Sequence, residues 1–171
     1  GYIIRYMHTT GASAFFALIY LHMFRGMMYG SYQKPRELLW VLGWITYLLL
    51  CMLGFTGYVL PWGQMSFWAA QVIMSLFGSI PFIGEELLTW IRGDYLISGI
   101  TLNRLFAFHV VLLPLALIAV VFVHILALHE VGSNNPDGVD VKKFKDEDGI
   151  PLDTKPFFPY DVMHDLYAIG V

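Results

Sequence analysis

Four histidines set in long apolar stretches constrain this chain more than any other feature. His8 and His22 stand 14 residues apart on one stretch, and His109 and His124 stand 15 apart on another. An ionisable side chain within a membrane span is costly to bury and marks a functional site by default. On an α-helix, 14 residues rise about 21 Å and 15 rise about 22.5 Å. At about 100° per residue, the second histidine returns within about 40° of the first at spacing 14 and about 60° at spacing 15. Each helix therefore offers one imidazole near each membrane surface, on much the same face. Two such helices side by side have room for two metal cofactors stacked across a bilayer.

Composition supports the membrane setting. The chain is 57% hydrophobic and 13% charged, against about 25% charged in an average soluble domain. Mean hydropathy is +0.62. Nine of the thirteen acids lie between Glu130 and Asp165, so the net charge of −3 reflects one polar segment rather than the whole chain. The ten basic residues form no patch, which argues against nucleic-acid binding. Cys51 is the single cysteine, so no intrachain disulfide and no thiolate metal site is implied.

The pattern predicts an all-α membrane protein, part of a transmembrane helical bundle with short interfacial helices. Residues 1–130 read as the membrane domain, with spans at about 3–29, 38–60 and 102–128, each near the length of about 20 residues that a bilayer needs. Pro61 stops the second span and Pro114 is expected to kink the third. Two shorter apolar pieces, 65–77 and 83–91, read as interfacial helices. Residues 131–165 read as a polar loop, and 166–171 as the start of a further helix. The chain opens on Gly1 and ends in an apolar segment, so it reads as an interior piece of a longer protein, with at least one span missing on either side.

Orientation follows from charge. Arg25, Lys34, Arg36, Lys142, Lys143, Lys145 and Lys155 fall on one side, and Arg5, Arg92 and Arg104 on the other. The positive-inside rule places the seven within the cell. His8 and His109 then lie toward the outer face, His22 and His124 toward the inner face.

Neutral imidazoles from two facing helices, with no third ligand nearby, suit the axial positions of a haem iron. Zinc calls for a tetrahedral set, and no Cys or carboxylate in the spans completes one. Gly11 on the first span, and Gly43 and Gly57 on the second, supply room for a flat macrocycle; the latter two are again 14 apart. Arg5, Arg25 and Arg104 lie three to five residues from a histidine and have the charge to pair with propionates. Taken singly, each feature has a plainer account: a packed or proton-relaying histidine, a common membrane glycine, a snorkelling arginine.

Longer strings add a family resemblance. Arg5-Tyr-Met-His8-Thr-Thr-Gly11-Ala-Ser, Gly57-Tyr-Val-Leu-Pro-Trp-Gly-Gln-Met-Ser-Phe-Trp68, Arg104-Leu-Phe-Ala-Phe-His109 and His129-Glu-Val-Gly-Ser-Asn-Asn-Pro136 occur in one order and spacing. Across nearly its whole length the chain resembles the central portion of cytochrome b, the membrane core of the bacterial-type quinol–cytochrome c oxidoreductase. That family's first helix, its later helices and its Pro-Glu-Trp-Tyr loop have no counterpart here.

The resemblance implies two b-type haems, the low-potential one on His8 and His109 and the high-potential one on His22 and His124. It implies an inner quinone site at His129, Ser133, Asn134 and Asp165, with His129 and Asp165 as proton donors. It implies an outer quinol pocket at Phe55, Tyr58, Met65, Trp68, Ala69 and Ile73, where single aromatics also read as an interfacial belt. Ubiquinone as substrate, an iron–sulfur protein and a cytochrome c-type subunit as partners, surrounding lipid, a dimeric complex and a bacterial inner-membrane location follow from the same resemblance.

Three departures stand out: the 15-residue spacing where mitochondrial-type members have 14 and chloroplast-type counterparts 15, with Pro114 or a local bulge expected to absorb the extra residue; Ala69 where many members have Gly; and His164 beside the inner-site Asp where Lys is usual. A proton-relay transporter fragment, a structural anchor and the dihaem cytochromes of hydrogenases or formate dehydrogenases remain as competing readings. The string from Gly57 to Trp68 argues against the last.

Overall fold

The computed structural model describes residues 1–152 and 154–171, with the Lys142 side chain set aside. Asp153, one of the nine acids of the polar segment, lies outside the described residues. Among the described residues seven α-helices follow in order: α1 (Tyr2–Met28), α2 (Glu37–Val59), α3 (Gln64–Gly78), α4 (Gly84–Arg92), α5 (Gly99–Ala107), α6 (Leu113–Val131) and α7 (Phe157–Gly170). A π-helical turn, Phe108–Leu112, joins α5 to α6 into one 33-residue helix. Among the described residues no strand forms; one isolated bridge joins Lys145 and Pro151.

Two helices, Glu37–Val59 and Gly99–Val131, are long and apolar enough to cross a membrane, with mean hydropathy 2.1 and 2.9. Both are apolar on nearly every face, and α6 leaves Leu115, Ile118 and Phe122 exposed. A helix hydrophobic all round is stable where its outer face meets lipid rather than water.

These two helices form the scaffold and pack closely along their length. Helix α1 behaves differently. It buries no residue, and it meets the scaffold mainly through rings, such as Tyr20 against Tyr47 at 6.2 Å between centroids. A lane therefore runs between α1 and the long helix.

Helices α3 and α4 form a hairpin over one end of the scaffold, where Val59, Ala70, Met74, Leu88, Ile97 and Leu105 make the buried cluster. Polar ties fix its entry and exit. Ser66 Oγ donates to the Tyr58 carbonyl at 2.8 Å, joining α3 to the end of α2. Thr101, fully buried, donates to the Arg92 carbonyl at 2.8 Å and accepts from the Ser98 amide at 3.1 Å, which starts the long helix at a fixed point. Each such bond contributes about 1 kcal/mol, and leaving its partner buried and unsatisfied costs more.

The π-turn has a local cause. Pro114 has no amide hydrogen and its ring crowds the carbonyl four residues earlier, so the regular ladder cannot continue through it. The Leu113 amide bonds instead to the Phe108 carbonyl, five residues back. One extra residue is absorbed without turning the helix by a further 100°. The expected disturbance near Pro114 thus takes the form of a bulge just before it, which keeps His109 and His124 on one face despite their 15-residue spacing.

Candidate cofactor-binding site

The structure brings the four histidines together in the two expected pairs. The His8 and His109 rings lie 6.1 Å apart between centroids, and the His22 and His124 rings lie 6.5 Å apart. Two imidazoles on opposite sides of one metal, each at about 2 Å from nitrogen to metal, have ring centres about 6 Å apart. Both pairs match that separation, and both bridge the lane between α1 and the long helix.

The hydrogen bonding of His109 suits a metal ligand. The Leu53 carbonyl lies 3.0 Å from His109 Nδ1, with Thr56 Oγ1 at 3.4 Å. A carbonyl only accepts, so Nδ1 carries the hydrogen and Nε2 keeps its lone pair. Metal-bound histidines are typically oriented in this way by a backbone carbonyl. At the other level, His124 Nδ1 is buried with the Leu39 backbone as its polar neighbour and, among the described residues, makes no hydrogen bond of good geometry. A buried imidazole short of partners is costly unless another group is meant to complete it.

Glycines set the wall behind each ring. A Cβ at Gly57 would stand 2.9 Å from His109 Nδ1 and 3.2 Å from its Nε2. A Cβ at Gly43 would stand 3.2 Å from His124 Cε1. At Gly57 the approach is so close that only hydrogen leaves the ring unobstructed, while at Gly43 a methyl would require His124 to give by a few tenths of an ångström. Gly11 faces open space, with no atom within 4 Å of its notional Cβ.

Around His22 and His124 lies a cavity of about 340 Å³, lined by apolar side chains such as Phe15, Leu117 and Val121, by Gly43, and at its mouth by Arg25, Arg36, Ser133 and Asn134. Its size falls within the usual range for ligand sites, about 300 to 1,000 Å³. Among the described residues, no group of three or more His, Cys, Asp or Glu converges. Each pair thus offers two nitrogen ligands and a flat apolar lane. That donor set fits haem, whose macrocycle supplies the remaining four ligands.

The other residues singled out from sequence are placed unevenly. Arg25 donates to the Asn134 carbonyl at 3.4 Å and lies over the Tyr29 ring. Arg104 donates to the Trp90 carbonyl, beside Glu85 and Glu86. Ser133 and Asn134 reach the inner cavity, but His129 and Asp165 do not line it. Asp165 sits exposed on α7, which packs closely against no other helix. In the outer region Phe55 packs against the buried cluster, Ala69 is half-buried, and Tyr58, Met65, Trp68 and Ile73 are exposed. Leu53, Thr56 and Arg36 carry site geometry that motif reading passes over.

Fold and site together define an all-α protein that holds paired imidazoles between apolar helices. The family model described as cytochrome b/b6/petB matches residues 1–132. Cytochrome b of Allochromatium vinosum is 56% identical over 175 residues, covering 100% of this chain and 42% of that protein. Cytochrome b of Rickettsia typhi is 52% identical over 171 residues, covering 100% and 41%. A solved structure, a hyperthermophilic respiratory Complex III, superposes with a TM-score of 0.84 at 36% identity, covering 97% of this chain and 44% of that one. This chain belongs to the cytochrome b family. It spans about two fifths of the length of the curated relatives it matches.

Proposed function

We propose that the chain is the haem-binding core of a dihaem b-type cytochrome subunit. Within a respiratory quinol–cytochrome c reductase, that subunit moves electrons across the bacterial inner membrane, from a quinol-oxidising outer site to a quinone-reducing inner site. The observation that carries this reading is the pair of imidazole couples, 6.1 and 6.5 Å between ring centroids, at two depths of one lane. Each bound haem supplies a reversible one-electron carrier.

The chain's own residues do the rest. His8 and His109 hold the outer group, His22 and His124 the inner one, and the Leu53 carbonyl fixes the His109 tautomer. Helix α1 is the third crossing, residues 1–130 the membrane domain and 131–156 the inner-face loop; the further helix expected from 166 begins earlier, as α7 from Phe157. Arg5 and Arg25 pair with propionates at the two surfaces when haem is bound. Arg104 serves this role once it releases the Trp90 carbonyl.

At the inner surface Ser133 and Asn134 orient a ubiquinone, and His129 and Asp165, which lie outside the cavity lining, relay toward it the two protons that its reduction consumes. At the outer surface Phe55, Tyr58, Met65, Trp68, Ala69 and Ile73 offer an apolar aromatic wall for the quinol ring. An iron–sulfur protein and a c-type cytochrome are the redox partners, and the working assembly is a lipid-embedded dimer. This segment alone lacks the partners and does not turn over.

The test is a pyridine haemochrome assay on the full-length protein. Two haems per polypeptide are expected. A protein free of haem contradicts the proposal and favours a proton-relay transporter.

A further inference from the structure

Arg36, just before α2, reaches across the inner cavity mouth to a segment almost one hundred residues away. Its Nε donates to the Gly132 carbonyl at 3.2 Å and its Nη2 to the Ser133 carbonyl at 3.3 Å. The same segment is caught from the other side, where Asn134 Nδ2 donates to the Tyr29 carbonyl at 2.7 Å. Arg36, Ser133 and Asn134 all line the cavity that holds His22 and His124.

The chain needs this support. Helix α6 ends at Val131, Gly132 takes a positive φ of 76°, and the next residues have no helical ladder. Carbonyls at a helix end lack intrahelical donors and take them from elsewhere. A planar guanidinium supplies two parallel donors in one rigid fork, which an ammonium cannot do. Among the described residues Arg36 has no carboxylate partner, so its charge is committed to these carbonyls.

We propose that Arg36 is a positioning residue for the inner cavity: its forked guanidinium straps residues 132–134 across the cavity mouth and fixes where Ser133 and Asn134 meet a quinone. This rests on the mouth of the inner cavity, beside the haem position between His22 and His124, being the quinone-reducing site. Arg36 acts through the strap.

The test uses the full-length protein in its assembled complex, with Arg36→Gln and Arg36→Lys. Amide hydrogen exchange at residues 133–135 is expected to accelerate about tenfold in both, as charge-assisted bonds are lost, with α2 and α6 unchanged. The half-saturating concentration of a short-chain ubiquinone, read from re-oxidation of the pre-reduced cytochrome, should rise about tenfold while the maximal rate stays within about twofold. Unchanged exchange overturns the proposal, because the strap then does not depend on Arg36. Faster exchange with unchanged half-saturation also overturns it, because the strap then does not shape the site. Failure of both variants to assemble makes Arg36 a folding determinant and overturns it as well. Absence of haem from the unsubstituted protein instead sinks the dihaem reading, and the exchange measurement still reports on the strap.

Discussion

Gly57→Val should leave the full-length protein with one haem per polypeptide instead of two. A Cβ at this position stands 2.9 Å from His109 Nδ1, well inside van der Waals contact, and valine adds two methyl groups beyond it. The imidazole has little freedom to retreat, because the Leu53 carbonyl at 3.0 Å and Thr56 Oγ1 at 3.4 Å hold its Nδ1 edge. Overpacking of this kind usually costs about 1 to 3 kcal/mol of stability. Here the same displacement also breaks the alignment of His109 with His8, so the loss falls on cofactor retention more than on folding. Gly43→Ala is the control. Its Cβ would stand 3.2 Å from His124 Cε1, close enough to be felt but within reach of a small adjustment, so both haems should remain. The pyridine haemochrome ratio checks both variants, and two haems in Gly57→Val would refute the close-approach argument.

The second large effect concerns the π-turn. Inserting one alanine between Val111 and Leu112 should abolish haem binding at the outer pair and spare the inner pair. The turn at Phe108–Leu112 already absorbs one residue ahead of Pro114. A second insertion exceeds what a single bulge accommodates and turns His109 about 100° relative to His124, away from α1. Deleting Val111 is the opposite case. The turn reverts to regular helix while the spacing falls to 14, so both histidines keep their face and both haems are retained. Haem content measured on insertion and deletion variants separates the two outcomes. Loss of haem in the deletion variant would show that the bulge has a role other than absorbing the extra residue.

These effects show which parts of the protein are legible in its sequence. The helices at Glu37–Val59 and Gly99–Val131 stand out because uninterrupted apolar runs of that length have few other uses, and α3 and α4 fall within two residues of the expected interfacial pieces. The histidine pairing is readable because helical periodicity and membrane depth together allow one arrangement. Proline marks a disturbance near residue 114, but periodicity does not distinguish a kink from a bulge. Only the spacing of 15 hinted at an extra residue.

Backbone acceptors were not legible at all. The Leu53 carbonyl that orients His109 has no side-chain signature, and the carbonyls bound by Arg36 lie almost one hundred residues from it. In the sequence Arg36 reads as one inner-face charge among seven. Arg104 shows the reverse error of emphasis: nearness to His109 in sequence says nothing of direction, and its guanidinium reaches the Trp90 carbonyl instead.

Low-temperature electron paramagnetic resonance of the oxidised full-length protein tests the central claim most directly, because it reads the axial ligands of each iron. Two distinct low-spin ferric signals of bis-imidazole type are expected, one lost in His109→Ala and the other in His124→Ala. A single signal, or two that both survive these substitutions, would contradict the assignment of one iron to each histidine pair.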